Sequence, residues 1–170
     1  MNNLFDIRGK VALVTGGSRG IGEMIAAGFL ANGVKVYISS RKAEVCNATA
    51  ARLMEQFGGE CISLPANLAE VTGCQQLADE LAARESQLDI LINNAGVSWG
   101  APIDDFPESG WDKVMDTNVK GVFFLTQKLL PLLRQSGSAE DPARVVNVGS
   151  IDGLKNPVFE TFSYGPSKAA

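Results

Sequence analysis

Short β-branched runs alternate with longer amphipathic stretches along this chain. Residues 10–15 (KVALVT) read as a buried strand, and 20–33 (GIGEMIAAGFLANG) as a helix that ends at Gly33. Residues 34–39 (VKVYIS) form a second strand. Residues 42–57 read as a helix stopped by Gly58 and Gly59. A third strand at 60–65 (ECISLP) precedes a helix over roughly 72–85, and a fourth strand at 88–96 (LDILINNAG) runs into a loop. Residues 109–135 hold one long helix or two end to end. A polar connection at 136–142 (SGSAEDP) leads to a fifth strand at 143–150 (ARVVNVGS), and a last helix begins near Ser163.

Strand alternating with helix implies a parallel sheet with right-handed crossovers, hence a doubly wound α/β architecture of the Rossmann type. The strands are apolar along their whole length, as expected when helices cover both faces of a sheet. No repeat, low-complexity tract or linker divides the chain, so residues 1–170 read as a single domain.

Composition narrows the chemistry. The 170 residues are 45% hydrophobic with a net charge of −4, which supports a packed core and argues against nucleic acid or anionic lipid as partners. There is no histidine, so Ser-His-Asp and Cys-His catalysis and histidine metal sites are excluded within these residues. Cys46, Cys61 and Cys74 form no CxxC pair, and their odd number fits reduced thiols packed as small apolar filler. The N-terminal apolar run is too short for a signal peptide, and no segment approaches 18 apolar residues. The expectation is a cytoplasmic protein without a metal site.

The first strand meets the first helix at TGGSRGIG. Gly16, Gly20 and Gly22 are spaced as GxxxGxG, which allows a tight turn and close approach of backbone to a pyrophosphate. The helix that follows offers free N–H groups and the positive end of its dipole. A glycine-rich turn alone says little. At the first strand–helix junction of an α/β chain it has the context that dinucleotide binding needs. After the second strand stand Ser39, Ser40 and Arg41, with no acid to hold a ribose 2′-hydroxyl. Arg19 adds a second guanidinium suited to a phosphate. The expected cofactor is therefore NADP(H) rather than NAD; the bland alternative is two solvated surface arginines.

TGGSRGIG, NNAG at 93–96, Asn118, Ser150 and YGPSK at 164–168 together resemble the short-chain dehydrogenase/reductase family, in the family's order and at nearly its spacing. The resemblance implies an oxidoreductase that moves a hydride between a nicotinamide and a carbonyl or hydroxyl carbon. It implies cofactor contacts from Gly16, Ser18, Arg19, Gly20, Ile21, Gly22, Ser40, Arg41, Asn67, Leu68, Asn94, Ala95, Gly96, Tyr164 and Lys168. It also implies that Tyr164 gives a proton to the substrate oxygen and that Ser150 orients the carbonyl. Lys168, one helical turn from Tyr164, would lower the phenol pKa from its ordinary value of about 10 and hold the nicotinamide ribose. Asn118 would hold a water through its backbone carbonyl. The family usually has Asp where Asn67 stands; an uncharged amide oxygen there can still accept from the adenine amino group. Asn93 would line the adenosine ribose side. Residues 151–163 and Trp99 are candidates for the substrate pocket wall.

Each residue alone also has a plain structural reading: Ser150 as a turn cap, Tyr164 as a half-buried aromatic, Asn118 as a helix cap, Lys168 as a solvated cation. Three functions follow. The first is an NADPH-dependent reductase of a small-molecule carbonyl, a 3-oxoacyl thioester. The alternatives are a sugar or polyol dehydrogenase of the same family, or a non-catalytic dinucleotide-binding fragment. Family chains run on for roughly another 80 residues. The expectation is a fragment lacking the last strands of a homo-oligomeric parent, dimer or tetramer, with its fifth strand left as a bare sheet edge.

Overall fold

The computed structural model describes residues 5–155 and 159–170. Five strands form one parallel sheet: β1 (Val11–Thr15), β2 (Lys35–Ser39), β3 (Cys61–Ser63), β4 (Ile90–Asn93) and β5 (Arg144–Asn147), in the order β3-β2-β1-β4-β5. The chain winds outward from β1 in both directions, so the connections that leave the paired strands β1 and β4 run to opposite faces of the sheet. That division opens a crevice at their carboxyl ends.

The covering helices are α1 (Gly20–Ala31), α2 (Ala43–Phe57), α3 (Val71–Ala82), α4 (Glu108–Met115), α5 (Gly121–Ser136) and α6 (Tyr164–Ala169). Side chains alternate across β1, so Ala12 and Val14 pack with α1 and α2, while Val11 and Leu13 pack with α3 and α5. Both layers are dry: Leu13, Ile38, Leu53, Leu77, Leu91, Leu125 and Leu129 are all fully buried. Burying each such side chain contributes about 1.5–3 kcal/mol. This is why the inner strands read as unbroken apolar runs.

At the opposite end of the sheet, buried Asp89 ties three elements together. It accepts from the Val11 N–H at 2.8 Å and from Ser136 Oγ at 2.6 Å, at the start of β1 and the end of α5. This frees the carboxyl ends of the strands to carry the site.

One expectation is corrected. The fifth strand is not covered: all four residues of β5 are exposed, with Val145 and Val146 at 43% and 46%. The reason is missing cover, since no residue of β5 joins either core layer, whereas the other edge strand, β3, buries Cys61 against α2. Its bare edge agrees with the reading of the fifth strand as unpaired on one side. Residues 109–135 do hold two helices end to end, and the structure adds how they join: α4 and α5 are linked without a break by a π-helical turn, Asp116–Lys120. The Gly121 N–H there reaches back five residues to the Asp116 carbonyl. Such single wide turns frequently mark functional positions, and Asn118 lies at the middle of this one.

Candidate active site

The first cleft lies at the carboxyl ends of β1, β2 and β4 and has a volume of about 770 Å³. The glycine loop forms its floor. Gly16 and Gly20 adopt φ of +65° and +56°, which side-chain-bearing residues rarely take. Gly22 is required for a different reason. A Cβ there would lie 2.5 Å from Asn94 Nδ2 and closer still to the Gly16 carbonyl oxygen. Arg19, at the N-cap of α1, supplies no side-chain cap, so the first N–H groups of α1 are open to a ligand.

Thr15 holds this floor to β4. Its hydroxyl donates to the Ile92 carbonyl at 3.2 Å and accepts from the N–H groups of Asn94 and Ala95, both at 3.0 Å. The Asn94 amide returns a bond to the Thr15 carbonyl at 2.9 Å. From the other side, Thr49 of α2 donates to the Ser18 carbonyl at 3.0 Å. Neither threonine was among the expected residues. For Thr15 the signal was available: a hydroxyl at the last strand position, directly before the glycines.

The expected cofactor residues Gly16, Ser18, Arg19, Gly20, Ile21, Ser40, Arg41, Asn67, Leu68, Asn94, Ala95 and Gly96 all line this cleft, joined by Lys42 and Val45. Gly22 stands behind the floor. Arg19, Arg41 and Lys42 are exposed at the rim. Between them, the hydroxyls of Ser39 and Ser40 are buried without a hydrogen-bond partner among the described residues. Two unpaired hydroxyls among three cations fit a phosphate group, and the sterically closed glycine floor fits a pyrophosphate. Asn67 donates to Glu70 Oε1 at 2.8 Å, while its Oδ1 accepts a long bond from the Ala69 N–H. Asn93 is turned inward. It is buried, donates to Thr126 Oγ1 and Asn147 Oδ1, and does not line the cleft.

A second cleft of about 430 Å³ adjoins the first and shares Ile21, Asn94, Gly96 and Val97 with it. Tyr164 and Lys168 both line it. The Lys168 ammonium lies 5.8 Å from the centre of the Tyr164 ring and donates to the Val148 carbonyl at 2.8 Å. Burial pulls the lysine pKa below its ordinary value. Asn118 lies just behind, buried. Its Oδ1 accepts from the Val97 N–H, and its amide donates to the Val97 carbonyl and to Ser167 Oγ, each at 2.9 Å.

Ser150 follows β5, and its hydroxyl accepts from the Asp152 N–H at 3.2 Å, capping a 3₁₀ turn at Ile151–Gly153. It does not line the second cleft, although a hydroxyl that accepts there keeps its own proton to donate. Trp99 does not line it either. Its indole covers Gly110 of α4, with the Lys113 ammonium 5.0 Å above the ring. The pocket-wall expectation for 151–163 falls partly on 156–158, which lie outside the described residues. Among the described residues, no helix is long and apolar enough to cross a membrane.

A Gly-floored cleft at the sheet's division, continuous with a Tyr-Lys cleft, is the site of one protein class. The short chain dehydrogenase family model matches residues 10–170, and the chain belongs to that family. It is 52% identical over 170 residues to the rhamnolipids biosynthesis 3-oxoacyl-[acyl-carrier-protein] reductase of Pseudomonas aeruginosa, covering 100% of this chain and 66% of that one. A solved RhlG/NADP active-site complex from Pseudomonas aeruginosa superposes with a TM-score of 0.94 at 52% identity, with the same coverage of both chains. The gluconate 5-dehydrogenase of Gluconobacter oxydans is 37% identical over 154 residues, which is 88% of this chain and 56% of that enzyme. The chain thus spans just under two thirds of the length of the first of these relatives, and less of the last.

Proposed function

We propose that the protein is an NADPH-dependent reductase of a 3-oxoacyl thioester. The observation that carries this is the continuity of the two clefts, which sets Tyr164 and Lys168 beside a phosphate-shaped floor. The relative from Pseudomonas aeruginosa acts on a 3-oxoacyl carrier protein, as its name states, and its solved complex holds NADP. A bound nicotinamide would supply the hydride. This chain's residues then bind, orient and protonate.

The glycine loop and the N–H groups of α1 would hold the pyrophosphate, while Ser39, Ser40, Arg19 and Arg41 would receive the 2′-phosphate. Tyr164 would give its phenolic proton to the substrate oxygen. Lys168, held in place by the Val148 carbonyl, would favour the phenolate left behind. Ser150 would donate its free proton to the same oxygen. Asn118 would act from behind, by fixing the segments that carry Val97 and Tyr164.

A sugar or polyol dehydrogenase is the second reading, favoured by the likeness to gluconate 5-dehydrogenase. The apolar side chains of Ile21, Val148 and Phe159 that line the Tyr164 cleft weigh against it, because a polyol would leave them wet.

The test is NADPH oxidation with 3-oxoacyl thioesters and with keto-sugars, on the protein and on Tyr164→Phe. Thioester reduction that Tyr164→Phe abolishes, with cofactor affinity kept, is the expected result. Turnover retained by Tyr164→Phe would remove the proton-donor role, and turnover of sugars alone would favour the second reading.

A further inference from the structure

Asp152 is an acid placed in the Tyr164–Lys168 cleft, and the chemistry derived above gives it no task. It is half-buried. Its backbone is held from two sides. Ser150 Oγ accepts its N–H, and the next residue, Gly153, lies so close to the Lys168 carbonyl that a Cβ there would meet that oxygen at 2.5 Å. The turn carrying the acid is therefore pressed against the helix carrying Tyr164 and Lys168. Yet the carboxylate itself makes no hydrogen bond or ion pair among the described residues. Lys168, the cation of the same cleft, makes no ion pair with it and donates instead to the Val148 carbonyl.

The cleft is thus polarised. Its cation lies at the tyrosine end, where a carbonyl oxygen gains partial negative charge during reduction. An anion without an ion-pair partner lines the same open-sided cleft. A half-buried charge lining a concavity is weakly screened and acts on whatever enters.

We infer that Asp152 is a specificity-determining residue that excludes substrates carrying a carboxylate near the reacting carbonyl, and so selects esters and thioesters over free oxo acids. The inference rests on the proposed reductase reading and narrows its substrate class. Free 3-oxo acids and keto-aldonates are rejected by like-charge repulsion. A thioester presents no charge at that point and enters. Aliphatic lining from Ile21 and Val148 suits the neutral acyl portion.

The experiment uses a matched pair, acetoacetate and its methyl ester, with the protein and with Asp152→Asn, Asp152→Ser and Asp152→Glu. Two quantities are read for each: the acid-to-ester ratio of kcat/KM with NADPH, and the acid-to-ester ratio of affinity by ligand-observed NMR with and without NADP⁺. The expected result is a preference for the ester that falls about tenfold in Asp152→Asn and Asp152→Ser, the scale of one like charge removed at side-chain distance. Asp152→Glu keeps the preference. Unchanged ratios in variants that melt like the parent would overturn the inference, as would equal affinity of the parent for acid and ester. If neither compound is reduced with NADPH, the reductase reading fails by itself, and the affinity ratios still decide the role of Asp152.

Discussion

The Asn118 side-chain amide donates to Ser167 Oγ at 2.9 Å, and Ser167 passes the bond on, donating to the Tyr164 carbonyl at 2.7 Å. Three distant segments meet in this relay: the loop after β4 through Val97, the π-helical turn, and α6. Helix α6 has six residues and no side-chain cap at Ser163, so it would not persist alone. The relay and the Lys168–Val148 bond are what hold Tyr164 at the cleft.

Removing members of the relay should separate positioning from binding. Ser167→Ala costs about 0.5–1.5 kcal/mol of stability, the usual value of one hydrogen bond. It should lower kcat several-fold while leaving NADPH affinity nearly unchanged. Asn118→Ala strands the N–H and C=O of Val97 as well and costs more, about 1–3 kcal/mol for each group left unpaired. Melting curves and steady-state kinetics on both variants check this. Weakened NADPH binding without a kcat change in Ser167→Ala would contradict it.

Cofactor choice should respond to charge at the end of β2. Ser40→Asp sets a carboxylate beside the unpaired Ser39 hydroxyl, where a 2′-phosphate would enter, and is expected to shift preference toward NADH. Arg41→Ala should weaken NADPH about tenfold or more and leave NADH nearly unaffected. Fluorescence titration of both cofactors reads the two effects. NADH bound more tightly by the parent protein would reverse the assignment.

Gly22→Ala should destroy the first cleft. The added methyl must overlap the Gly16 carbonyl and the Asn94 amide, both anchored to the sheet. Overpacking of this kind costs about 1–3 kcal/mol, and cofactor affinity should fall below detection. Gly28→Ala is the control. It lies in the same helix with open space where its Cβ would go, and should be neutral or mildly stabilising. Equal behaviour of the two variants would show that the crowding at Gly22 has no consequence.

Stability should fall on the alkaline side. Burial pushes the Cys61 thiol from 9.0 up to about 12, with Cys46 adding to the effect. Tyr37 rises from 10.0 to about 12, through burial and its bond to Glu85. Both groups keep their protons longer folded than unfolded. Their contribution is therefore complete below pH 9 and is lost as pH climbs from about 9 to 12. Lys168, lowered by burial, runs the opposite way and returns stability as its charge is lost. The melting temperature of Cys61→Val should decline less steeply over that range than the parent's. Parallel pH profiles would exclude the thiol as a contributor. Alkylation of the three buried cysteines at pH 8 should also proceed only as fast as the protein opens.

The inner strands and the glycine loop were legible because their constraints are local. Leu13 and Val14 are apolar on both sides of β1, and Gly16 is a glycine because of its own φ. The bare edge of the fifth strand was expected but its uncovered faces were not, because Val145 and Val146 report what would suit a buried position, and apolarity does not reveal whether a helix packs on it. Tyr164 and Lys168 were readable from one helical turn of spacing. The bond that Lys168 makes, to a carbonyl twenty positions away, was not. Asn118 was expected to act through its backbone, but its side chain clamps Val97 and Ser167, a contact that depends on tertiary approach. For Ser150, a hydroxyl can cap a turn and still donate, so its identity leaves both roles open. Asp152 fell within the expected pocket-wall segment 151–163, but nothing in the sequence singled it out there, and only its place in the cleft does.

The wide turn between α4 and α5 makes chain length itself a constraint here. An ideal helix turns by about 100° per residue, and Asp116–Lys120 absorbs one residue more than that winding allows. Deleting a single residue from this turn would let α4 and α5 fuse into a regular rod, improving the helix while rotating its two halves against each other. The indole of Trp99 would lose its seat over Gly110, or Asn118 would swing off Val97, whichever half moved. A change of sequence at most of these positions can be accommodated by neighbours. A change in their number cannot, and the protein shortened by one residue is expected to melt below the parent, because the regular rod forfeits either the Trp99 seat or the Asn118 bonds to Val97.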